Sequence, residues 1–128
     1  MPYYKKIFLY SLLTLLICSC HSFYKDKNTS NKTKIINTKI ILIQSHLNKG
    51  KLQSALKLAK NIYKKHPNDH STLRTMGIVS LALGNEKNAL YFFKKSYKSK
   101  KSSSTLLNLS SLYINKGKLY LARKMLVK

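Results

Sequence analysis

Three times in this chain a glycine is followed, five residues later, by an alanine: Gly50 and Ala55, Gly84 and Ala89, Gly117 and Ala122. The glycines lie 34 and 33 residues apart. A recurrence at that period marks one supersecondary unit that stacks on copies of itself. The segments that carry it are ILIQSHLNKGKLQSALKLAKNIYKKHPND, TLRTMGIVSLALGNEKNALYFFKKSYKSK and TLLNLSSLYINKGKLYLARKMLVK. At 128 residues the chain holds one domain at most.

Each segment reads as two helices. In the first, Leu52, Ala55, Leu56, Ala59, Ile62 and Tyr63 follow the 3, 4, 7 spacing of one helical face, while Lys57, Lys60 and Lys64 line another. Ala89, Leu90, Phe93 and Tyr97 repeat the apolar face in the second. The glycines sit between helices, where a left-handed cap needs no side chain. Asn85, Asp69 or Ser71, and the run Ser102 to Ser104 are predicted N-caps, with Glu86 in a first turn. The alanines let paired helices approach closely and are expected to be buried. No pair buries its apolar face alone, so three must stack.

These features resemble the tetratricopeptide repeat family from about Ile36 to Lys128. Gly77 stands for its small residue in the first helix, Tyr113 for its late aromatic, Phe93 and Leu126 for its large residue four after the alanine, and Pro67 for its closing proline. The departures are the absence of Trp, Ala59 in place of a bulky residue, His46 and Ser80 in place of aromatics, and no closing proline in the second repeat. The resemblance implies an all-α, short right-handed superhelical solenoid of about three helix–turn–helix repeats, over 36–69, 70–102 and an incomplete 103–128, within a domain of 35–128. It also implies a groove lined by the first helix of each repeat, which holds a peptide or helix of a protein partner. The matching positions are Asn37, Ile40, Ile41, Gln44 and Asn48, then Ser71, Arg74, Thr75 and Ile78, then Ser104, Leu107, Asn108, Ser111 and Asn115. The cations with which one branch of the family clamps a terminal carboxylate are absent there. The sequence stops at Lys128 inside the last predicted helix, so the face of Leu119, Ala122, Met125 and Leu126 is expected to be partly uncovered, open to a partner or to self-association.

The N-terminus carries a separate signal. Lys5 and Lys6 precede the uncharged run Ile7 to Ile17. Eleven helical residues span about 16 Å at about 1.5 Å each, roughly half a bilayer core. That is short for an anchor and suits a secretory signal. The run ends in Ile17-Cys18-Ser19-Cys20, which resembles the bacterial lipobox. The resemblance implies a lipoprotein signal peptide over 1–19 and a lipidated Cys20 as the mature N-terminus, with a flexible tether over 20–34. Two or three acyl chains give stable anchoring where one does not. The covalent lipid, of the palmitate class, is the one cofactor implied. The expected place is the exported side of a membrane at the bacterial cell envelope, the outer membrane if His21 after Cys20 sorts it in the enteric manner. Lipoproteins with such repeats serve as adaptors in assembling envelope complexes. An ordinary signal or a short uncleaved anchor is the alternative.

Charge bounds the rest. The 25 Lys and Arg stand against 3 Asp and Glu, for a net charge of +22, and only Arg74 and Arg123 are arginines. Such an excess favours anionic surfaces, although an AT-rich codon set would produce much of it. Lys94, Lys95, Lys98, Lys100 and Lys101 put five cations in eight residues. They read either as a solvated helix end or as a patch for anionic lipid headgroups or an acidic partner. Nucleic acid is the weaker partner, without a reading helix or stacking platform. Asp26, Asp69 and Glu86 do not make a catalytic pair, no glycine-rich phosphate loop is present, and Pro67 separates His66 from His70. No catalytic or metal site is therefore expected, and an enzyme is not. Against the adaptor stand two other readings: a basic protein that binds nucleic acid or anionic lipid, and a truncated gene product without activity of its own.

Overall fold

A computed structural model describes residues 29–127. All regular structure among them is helical. Residues 29–48 form α1. It is followed by α2 (Leu52–Lys65), α3 (His70–Ala82), α4 (Glu86–Ser99), α5 (Ser103–Asn115) and α6 (Leu119–Leu126). The described residues from 36 onward form one compact unit. The signal segment, the lipobox and Cys20 lie outside the described residues. So do the first residues of the expected tether, but residues 29–34 of it are helical. Helix needs no apolar face to continue along a chain once begun, and here Thr33 Oγ1 donates to the Thr29 carbonyl at 2.9 Å.

The three glycines do what their spacing predicts. Gly50, Gly84 and Gly117 have φ of 69°, 74° and 68°, a region that L side chains avoid. The same two bonds close each turn. Gly84 N–H donates to Leu81 O and Asn85 N–H to Ser80 O, both at 2.8 Å; Gly117 and Lys118 repeat this on Ile114 and Tyr113, and Gly50 and Lys51 on Leu47 and His46. This is the paired-bond cap of a helix that ends in a left-handed residue. The next helices start on side chains. Asp69 Oδ1 accepts from Thr72 N–H at 2.8 Å, Asn85 Oδ1 from Asn88 N–H at 3.0 Å, and Ser102 Oγ from Thr105 N–H at 3.3 Å.

The helices pack as three hairpins in two layers. Ile36 and Ile43 of α1 meet Ala55, Ala59 and Ile62 of α2 and Met76 and Val79 of α3 in one buried cluster. Ala89 and Phe93 of α4 meet Leu109 and Leu112 of α5 in a second, with Ile78 and Met125 against it. Ala55, Ala89 and Ala122 are all buried, as their close-approach role requires. Phe93 is wholly buried whereas Leu126, its counterpart one repeat on, is 51% exposed. Phe93 lies between α3 and α5, and no described helix follows α6 to cover Leu126. Ala122 and Met125 of the same helix face inward.

Hydroxyls join the hairpins where apolar contact ends. Ser96 Oγ donates to the His70 carbonyl at 2.7 Å and lies 3.2 Å from Thr105 Oγ1; Ser99 Oγ donates to the Asn68 carbonyl at 2.9 Å. One residue of α4 thereby connects α3 to α5. Glu86, at the start of α4, pairs with Lys116 at 2.7 Å, in the turn before α6.

Candidate interaction surfaces

Side-chain contacts place α2, α4 and α6 on one side. Tyr63 of α2 meets Phe92 of α4, and Tyr97 of α4 shares a cleft with α6. The other layer holds α1, α3 and α5. Its α3 and α5 surface is chemically distinct: α5 has no charged residue and α3 has Arg74 alone besides His70, whereas α1 carries Lys32, Lys34 and Lys39.

The residues expected to line a groove divide here. Asn37, Ile41, Gln44 and Asn48 on α1, and Ser104, Leu107, Ser111 and Asn115 on α5, are exposed. Ser71 and Arg74 are half-buried. Steps of three and four place Ser71, Arg74 and Ile78 along one face of α3, and Ser104, Leu107, Ser111 and Asn115 along one face of α5. Gln44 Nε2 donates to Asn48 Oδ1 at 3.0 Å, so those two amides act together. Ile40 and Ile78 are half-buried and pack against the two clusters. Thr75 departs from expectation: it is buried, and its hydroxyl donates to the Ser71 carbonyl at 2.8 Å, a bond that satisfies it within its own helix. Asn108 is also mostly covered, with its Nδ2 buried and unpartnered.

Sequence reasoning missed Leu81 and Ile114, which are 37% and 49% exposed. Each stands three residues before a turn glycine, and its carbonyl accepts the glycine N–H. That fixed offset was the available signal. With Leu107, 60% exposed, they give the α3 and α5 surface an aliphatic component among amides and hydroxyls.

The other layer is basic and aromatic. Lys94, Lys98, Lys100 and Lys101 are exposed; Lys95 is half-buried with its ammonium 5.8 Å from the centre of the Tyr63 ring. A shallow cleft of about 140 Å³ lies between Tyr97, Lys101 and Tyr113 and the α6 residues Leu121, Lys124 and Met125. His66 ends α2 and His70 begins α3, with Ser71 Oγ 3.3 Å from His70 Nε2. Among the described residues no three His, Cys, Asp or Glu side chains gather where they would hold a metal ion. Among the same residues no helix is long and apolar enough to cross a membrane.

No family model matches the chain, and no curated protein does. A solved structure does: a point mutant of MamA, at 15% sequence identity, with a TM-score of 0.58 over 71% of this chain and 67% of that one. MamA is a tetratricopeptide-like protein, and at this identity the likeness shows the fold alone. What the chain has in common with it is an all-helical solenoid of tetratricopeptide type.

Proposed function

We propose that this protein is an adaptor whose α1, α3 and α5 side holds a segment of another protein, and whose Cys20 carries a lipid that keeps it at a bacterial membrane. The observation that carries the first part is the uncharged surface of α5, on which Leu107 and Ile114 stand exposed beside Ser111 and Asn115. Exposed aliphatics rimmed by amides and hydroxyls favour a neutral, partly apolar polypeptide. The tetratricopeptide-type fold is the second support, since such helical repeats are interaction scaffolds. The run of Lys5, Lys6, the uncharged Ile7 to Ile17 and the Ile17-Cys18-Ser19-Cys20 box supports the lipid. Envelope assembly is the role that fits both.

Photo-crosslinking from position 107 or 111, with position 57 on α2 as control, tests the binding side. Crosslinks concentrated on α5 are expected; equal yields from α2 would overturn the reading. For the anchor, metabolic palmitate labelling should be abolished by Cys20→Ser. Label that persists in that variant would sink the lipid claim.

A further inference from the structure

The charge of the compact unit is unevenly placed. α2 carries Lys57, Lys60, Lys64 and Lys65 without an acid, and α4 carries Lys87, Lys94, Lys95 and Lys98 against Glu86. Both carboxylates among the described residues are engaged elsewhere: Asp69 caps α3 and Glu86 pairs with Lys116. Tyr91, Lys94, Lys95 and Lys98 follow i, i+3, i+4, i+7 and so share one face of α4. Aromatic contacts fix that face to α2. Tyr63 meets Phe92 edge-on with ring centres 5.5 Å apart, and Phe92 meets Tyr91 at 5.2 Å. Two lysine rows are thereby held side by side with the exposed Tyr91 ring among them.

We propose that this α2–α4 face docks on an anionic lipid bilayer, its lysines at the headgroup phosphates and Tyr91 at the level of the headgroups. The argument is one of charge and side-chain type. Ammonium groups are hydrated point charges that suit a diffuse anionic surface and need no bidentate partner. An amphipathic tyrosine settles at the boundary of polar and apolar phases. Nucleic acid fits less well. Binding of a single strand needs successive ring faces open for stacking, yet Lys95 lies over the Tyr63 ring and Phe92 is packed between two tyrosines, so of these three rings Tyr91 alone is exposed. No arginine stands on either helix to read a base edge. The face is distinct from the segment-binding side, and the proposal holds with or without lipid on Cys20.

The test uses the full chain carrying Cys20→Ser, so that no acyl chain contributes, and co-sedimentation with vesicles. Binding is expected to vesicles of equal parts phosphatidylglycerol and phosphatidylcholine, and to weaken as salt is added. The triple variant Lys64→Gln, Lys94→Gln, Lys98→Gln should bind about a hundredfold more weakly, taking each lysine at its usual contribution near such a surface. The corresponding arginine triple should bind like the parent. Tyr91→Ser should weaken binding and leave the salt dependence unchanged. Equal binding to pure phosphatidylcholine would overturn the proposal, and so would a glutamine triple that binds as the parent does. A DNA duplex or single strand that displaces the chain from vesicles at the same salt would also overturn it. Should the glutamine triple lose its helical circular dichroism, the salt titration of the parent decides, and binding indifferent to salt counts against the proposal.

Discussion

Phe93 lies so close to Gly77 that a Cβ built on the glycine would stand 2.5 Å from the ring Cδ1 and 3.0 Å from Cζ. Two effects oppose each other at this position. Alanine in a helix ordinarily gains about 0.5–1 kcal/mol over glycine, whereas overpacking a core costs about 1–3 kcal/mol. The Phe93 ring is fully buried and packed against Leu109 and Leu112, so overpacking wins. Gly77→Ala is expected to lower the midpoint of thermal unfolding, followed by circular dichroism. Combining it with Phe93→Leu should cost less than the two single changes together, because the smaller side chain clears the Cβ.

Gly84→Ala separates backbone strain from packing. No atom lies within 4 Å of a Cβ at this position, so the expected loss of about 1–2 kcal/mol comes from the positive φ alone. Gly84→Asn should lose less, since asparagine tolerates that conformation better. Equal stability of the alanine and glycine forms in denaturant titration would refute the account of the turn.

Thr72 and Ser96 should respond in opposite directions. Thr72 Oγ1 is buried with no hydrogen-bond partner, so Thr72→Val removes an unsatisfied group and should stabilise the protein. Ser96→Ala removes the bridge from the His70 carbonyl to the Thr105 hydroxyl, which keeps Ser102 as a partner, and should cost about 0.5–1.5 kcal/mol. A stabilising Ser96→Ala, measured by chemical denaturation, would contradict the bridging role.

Salt should raise the thermal midpoint. With a net charge of +22, self-repulsion opposes the compact state, and added ions screen it. The Glu86–Lys116 pair works the other way but is weak. Its side chains are 48% and 31% exposed, which puts it within about 1 kcal/mol. Glu86→Gln should therefore shift the midpoint little, and a midpoint that falls steadily with salt would refute this ranking.

Much of the fold was legible because it rests on local rules. Gly50, Gly84 and Gly117 announce their turns through a conformation that glycine adopts freely, and Asn85, Asp69 and Ser102 announce helix starts through short side-chain acceptors. The surfaces were less legible because exposure is set by neighbouring helices. Thr75 and Ser71 look alike in sequence, yet one helix turn buries the first and leaves the second half open. The Tyr63–Phe92 contact joins residues 29 positions apart, and no local pattern names it. Ser96 reads as one hydroxyl among many until its partners, 26 residues before it and nine after, stand beside it.

All three glycine turns are closed by the same two main-chain bonds. Hairpin geometry is therefore set by where the glycines stand, and amino-acid identity elsewhere is left to other demands. Each glycine turn joins one helix of the first layer to one of the second, and the lysine-rich α2 and α4 alternate along the chain with α3 and α5, which hold no lysine. Surface substitution in one set leaves the other undisturbed. The chemistry of one face is thus free to drift over generations without altering that of the opposite face.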